Sequence, residues 1–86
     1  MIINREDYLI EIRGRCADAI SSKTELFEQT NAALGIYPPD RCEAIKSYIA
    51  ACRNEYLRCK ELILAAKTND EADAVQFLAP PVPENL

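Results

Sequence analysis

The chain has 86 residues, is 49% apolar, and carries a net charge of −4 with no histidine. It is one small domain, too short to bury a large core without tight helix packing or self-association. No apolar run approaches the roughly 18 residues of a membrane span, and without histidine there is no Ser-His or Cys-His nucleophile pair and no usual metal centre.

The first expected element is a helix over about residues 5–34. Asn4 is a suitable N-cap, and Glu6 and Asp7 suit the positive end of the helix dipole. Gly35 is a natural C′ residue, and Pro38 and Pro39 follow it. Gly14 and the pair Ser21-Ser22 are the points where so long a helix is expected to bend. Its apolar stripe runs Leu9, Ile12, Cys16, Ile20, then Phe27 and Leu34, with Lys23 between. A lysine inside a buried stripe is costly unless it is paired or reaches water. Three readings of Lys23 follow. It snorkels from the edge of the stripe; it pairs with a carboxylate and fixes register; or it faces a pocket for an anionic ligand.

A second helix is expected over about 40–67, opened by the capping sequence Asp40-Arg41-Cys42-Glu43. Cys42, Ile49, Tyr56 and Ile63 repeat every seven residues, and so do Ile45, Cys52, Cys59 and Ala66. Together they form a coiled-coil-like seam about three and a half heptads long. Ala50, Leu57 and Leu64 form a further stripe roughly 100° around the helix. One neighbouring helix cannot cover both, so Ala50, Leu57 and Leu64 are the expected oligomer interface. The short link Gly35–Pro39 makes the two helices antiparallel neighbours. A short helix over about 69–78 follows the capping box Thr68-Asn69-Asp70-Glu71, and the proline-rich residues 79–86 are expected to be extended. The fold class is therefore all-α: an antiparallel two-helix hairpin, a short third helix and a tail, in a single domain 1–86. A homo-oligomer is expected; the competing arrangement is a three-helix monomer with 70–78 folded back over the groove.

Cys16, Cys42, Cys52 and Cys59 read as small core hydrophobes. Cys52 and Cys59 lie roughly 10 Å apart along one helix, too far for a bridge, and no C-x-x-C suggests zinc. The opening MIINREDYL lacks the apolar core of a signal peptide, so a cytoplasmic chain with reduced thiols is expected. Residues 1–40 carry a net −3, 41–67 a net +3 and 68–86 a net −4. The overall sign argues against a binder of DNA or RNA duplexes. The middle block can still hold a localised anion, with Arg13, Lys46, Arg53 and Lys60 supplying a positive field. No Gly-rich phosphate loop occurs, and no enzyme, cofactor or metal is expected.

Tyr8 lies fifteen residues before Lys23, roughly 22 Å along a straight helix. A tyrosine for stacking and a lysine for phosphate at this spacing, with the stretch DRCEAIKSYIAACRNEYLRCKELIL, resembles the phage anti-CBASS sponge family over about residues 5–66. The family's tyrosine precedes its helix in a Gly-Tyr-Arg context, whereas Tyr8 stands in EDYLIEI. Cys52, Tyr56 and Cys59 stand where the family's second helix is rich in aromatics. The resemblance implies a small helical oligomer in the host cytoplasm that sequesters a cyclic oligonucleotide between protomers. Tyr8 and Lys23 would be its ligand contacts. The alternative is a helical adaptor, inhibitor or assembly chaperone acting through the Ala50/Leu57/Leu64 stripe or the tail.

Overall fold

A computed structural model of the chain describes residues 3–86, and these are all-helical, without strands. The elements are α1 (Arg5–Lys23), α2 (Leu26–Ala33), α3 (Pro39–Ala65) and α4 (Asn69–Asp73). Among the described residues no helix is long and apolar enough to cross a membrane.

The axis of the molecule is α3. Pro39 sits at its start, where a fixed φ helps and no N–H is needed. Its inward line is Cys42, Ile45, Tyr48, Cys52, Cys59 and Ile63. Leu9 and Ile12 of α1 pack against Cys59 and Ile63, Cys16 against Tyr48 and Cys52, and Ala32 of α2 against Cys42 and Ile45. Contacts therefore run in opposite directions along the chain, and α1 followed by α2 covers α3 from end to end. Each large apolar side chain buried this way contributes about 1.5–3 kcal/mol. Cysteines make up half of the inward line, and the Cys16 thiol donates to the Cys52 carbonyl at 3.4 Å. All four cysteines are buried free thiols. The inward line differs from the expected seam in one respect. Tyr48 is buried, with its hydroxyl donating to Ala19 O at 3.1 Å, while Ile49 and Tyr56 stay half-buried at the edge.

The single helix expected over 5–34 is two helices. Gly14 lies inside α1 without interrupting it. The interruption falls at Thr24, whose backbone is extended at φ −136, ψ 119. Thr24 is 1% exposed. Its hydroxyl donates to Ile20 O at 2.8 Å, and Gln29 Nε2 donates to both its carbonyl (3.1 Å) and its hydroxyl (3.3 Å). Glu25 then opens α2 in a reciprocal capping box with Glu28. Ser21 and Ser22 bond back to the carbonyls of Asp18 and Ala19 in the last turn of α1. Local hydroxyl and carboxylate bonds thus outcompete helix continuation.

The end of α2 matches its sequence. Gly35 adopts φ 72. Its N–H bonds to Ala32 O at 3.2 Å, and Ile36 N–H bonds to Asn31 O at 2.9 Å, a Schellman closure that a left-handed glycine permits. Thr68 caps α4 by accepting from Glu71 N–H at 3.1 Å, while Glu71 accepts from Lys67 N–H at 2.8 Å. Yet α4 stops at Asp73, short of the expected 78. Beyond it, Val75 and Phe77 alternate with exposed Ala74, Gln76 and Leu78, an extended rather than helical spacing that lets both apolar side chains reach the core.

Thr24→Val keeps the shape but removes the hydroxyl bonds. It should destabilise the chain by about 1–3 kcal/mol in denaturant unfolding, whereas Lys23→Ala, at an exposed position, should stay within about 0.5 kcal/mol. An equal loss from Lys23→Ala would mean that the lysine is structurally engaged.

Candidate functional site

Side by side, α1 and α3 leave two faces. The first is covered by residues 75–86. Val75 and Phe77 pack on Leu9, Ile12, Cys59 and Ile63. Phe77 and Leu86 reach Cys16, Tyr48 and Cys52, and Leu86 also meets the Ala32–Cys42–Ile45 cluster. The segment is pinned through Glu55. Its carboxylate holds Arg58 at 2.7 Å and accepts from Leu78 N–H at 2.8 Å. Arg58 in turn donates to Gln76 O at 3.0 Å, and so does the Cys59 thiol at 3.4 Å. The Arg58 guanidinium, with the Leu78 N–H, outweighs burial and holds the Glu55 carboxyl at about 2.

The second face is open. Arg13, Ala17 and Ile20 of α1 and Arg53, Tyr56 and Leu57 of α3, over the edge of Cys16, line a cleft of about 530 Å³. Arg53 also borders a cleft of about 350 Å³ running towards α2, with Lys46, Ile49 and Ala50 in its wall. Lys46, Arg53 and Lys60 follow at seven-residue intervals along α3. The ion pairs among the described residues are Arg15–Glu11, Arg41–Glu28 and Arg58–Glu55, so Arg13, Lys46, Arg53 and Lys60 keep their charge uncompensated by a salt bridge. Neither cleft has a carboxylate in its lining. The arrangement is two guanidiniums flanking an apolar floor beside an aromatic ring. It suits an anion that carries a flat apolar part. Burial pushes the Cys16 thiol up, with Cys52 adding to it and Arg53 opposing. The shift favours the protonated thiol. Burial likewise raises Cys52 and Cys59. Among the described residues no group of three or more Cys, Asp or Glu is placed to hold a metal ion.

Tyr8 and Lys23 stand at opposite ends of α1. Tyr8 is half-buried, and its hydroxyl donates to Asn69 O at 3.3 Å. It lines a third cleft, of about 300 Å³, with Glu11, Arg15, Asp73 and Phe77. Burial, then the negative charges of Asp73, Asp70, Glu11 and Asp7, push its phenol up. Lys23 is the last residue of α1, is exposed, and lines none of these clefts. Within one chain the two do not meet. Ala50, Leu57 and Leu64 are all exposed. They lie beside the Lys46/Arg53/Lys60 line, so the apolar stripe and the basic residues share a face. The sequence contained the signal for this, two seven-residue repeats displaced by four residues. The pairing of Arg13 with Arg53 across two helices could not be read without the helix packing. Comparison with family models, curated proteins and solved structures finds no match to this chain.

The pinned tail should respond to acid. A carboxyl held at about 2 against an ordinary 4.5 stabilises fully above the ordinary value, and that stabilisation is lost as pH falls through the lower one. Amide exchange at Leu78 should therefore speed up on acidification from about pH 4.5 to pH 2, after correction for intrinsic rates. Glu55→Gln should lose this acid step and cost about 1–2 kcal/mol at neutral pH. Protection of Leu78 that persists unchanged to pH 2 would contradict the pinning.

Proposed function

We propose that the chain is a non-catalytic, self-associating binding protein that sequesters an anionic small ligand on the open α1/α3 face. The observation that carries this reading is the pair Arg13 and Arg53, free of salt bridges and facing an apolar floor at the edge of Tyr56. Guanidiniums bind phosphate oxygens two at a time and also stack on flat rings. A cleft of about 530 Å³ is of the size that takes a nucleotide-sized ligand. Binding lowers the free ligand without breaking it. The absence of histidine and a shift that favours the protonated thiol support a role without catalysis.

The likeness to the anti-CBASS sponges suggests the ligand class, a cyclic oligonucleotide, and with it a phage protein acting in a host cytoplasm. The architecture expected for such a protein, an antiparallel helical hairpin with a coiled-coil-like seam and a proline-rich tail, belongs to the same reading. In that family scheme Tyr8 of one protomer meets Lys23 of another. The carboxylates around Tyr8 favour the Arg13/Arg53 face as the seat of the phosphates. The second reading, an adaptor for a protein partner, is supported by the exposure of Leu57 and Leu64. It is better supported at that stripe than at the tail, whose Phe77 and Leu86 pack against the core.

Thermal unfolding against a panel of cyclic di- and trinucleotides tests the proposal. At a hundredfold excess over Kd a ligand adds about 2.7 kcal/mol, which raises Tm by several degrees, and the nucleotide should be recovered intact. Arg13→Glu and Arg53→Glu should each weaken binding at least about tenfold, a loss of about 1.4 kcal/mol, without changing helix content. If Lys23→Ala abolishes the shift and the arginine variants keep it, the ligand sits between protomers at Tyr8 and Lys23. No shift with any nucleotide would remove the small-ligand reading and leave the adaptor.

A further inference from the structure

The outward side of α2 is apolar where a surface helix is ordinarily polar. Ala32 is the buried residue of α2, and it faces α3. Leu26, Phe27, Thr30 and Leu34 share the opposite side at one-face helical spacing, and all are exposed. Leu26 is 77% exposed, Leu34 69% and Phe27 58%, and Ile36 just beyond the helix is 64% exposed. None of these residues is charged.

We propose that this α2 face is where two copies of the chain meet, α2 of one packing antiparallel on α2 of the other about a two-fold axis near Thr30. This names a surface for the self-association included in the reading above, and it does not depend on the ligand. Charge selects the occupant. A two-fold contact lays each patch on its own copy, so a charged patch repels itself. The α2 face carries no charge. The Ala50/Leu57/Leu64 stripe, by contrast, runs beside Lys46, Arg53 and Lys60, and pairing it with itself would bring like charges together. The apolar side chains available to the two-fold contact, Leu26, Phe27, Leu34 and Ile36, are all more than half exposed in the single chain. Lys23 gains a place in this geometry. It precedes the start of α2, and antiparallel packing sets it near the end of the partner's α2. The last turn there has no basic residue of its own to meet the negative end of the helix dipole.

The test uses the full chain. Sedimentation velocity at micromolar concentrations should give a dimer. Leu26→Glu combined with Leu34→Glu should give a monomer of unchanged helix content, with at least a thirtyfold weaker dimer. The native thiols are buried, so Thr30→Cys introduces an exposed one; it should form a disulfide-linked dimer on mild oxidation, while Ala50→Cys should not. A monomeric wild type, an unchanged mass in the double variant, or cross-linking through Ala50→Cys instead of Thr30→Cys overturns the proposal. The double variant keeps the Arg13/Arg53 face. A nucleotide-dependent Tm shift in it therefore shows that ligand binding and dimer formation stand separately.

Discussion

The buried hydroxyl of Thr24 sets the course of the chain. Up to Lys23 the chain is an ordinary amphipathic helix on α3. Continued in the same register, the stripe would carry Lys23, then Phe27 and Leu34, along α3. A lysine ammonium held in that position without a partner costs several kcal/mol. Instead the helix ends at the lysine. Thr24 takes the buried position, satisfied by Ile20 O and by Gln29 Nε2, and Lys23 remains in water. The new helix that starts at Leu26 has a different register, so small Ala32 meets Cys42 and Ile45 while Leu26, Phe27 and Leu34 lie exposed.

Everything else is arranged around the pair α1 and α3. Two helices side by side expose two grooves, and the chain fills one with its own residues 75–86. That filling combines charge-assisted bonds around Glu55 with the packing of Val75, Phe77 and Leu86. The other groove has Arg13 and Arg53 in its lining, and among the described residues no segment covers it. The chain as a whole is acidic, at −4, yet this face is locally positive, because the acidic residues gather on the first 40 residues and around α4. A protein of this charge can hold an anion only where the field is local, and the face framed by Arg13 and Arg53 meets that condition.

Much of this was written in local sequence. Gly35 and the Thr68–Glu71 box mark helix ends because their chemistry acts within four residues. The length of α3 followed from two apolar repeats that no proline interrupts. The break at Thr24 was hidden because Ile20, Phe27 and Leu34 are spaced by sevens and mimic one continuous stripe. The deciding bonds, from Gln29 and between Glu25 and Glu28, are local but follow no apolar period. Tyr48 was missed because it lies one residue from Ile49, and a small rotation of α3 decides which of the two turns inward. The return of the tail depends on a partner twenty-three residues away, Glu55 to Leu78, which no local pattern encodes. The basic face was legible as a repeat on α3 and illegible as a cleft, since Arg13 joins it only through helix packing.

The most direct measurement is the set of backbone ¹³Cα and ¹³C′ chemical shifts from Ala19 to Thr30 in the full chain. Helical shifts are expected through Ser22, extended shifts at Thr24 and Glu25, and helical shifts resuming from Leu26. Unbroken helical shifts across the whole stretch would contradict the break at Thr24. They would return Lys23 to the buried stripe and remove both the outward apolar face of α2 and the division of the surface that follows from it.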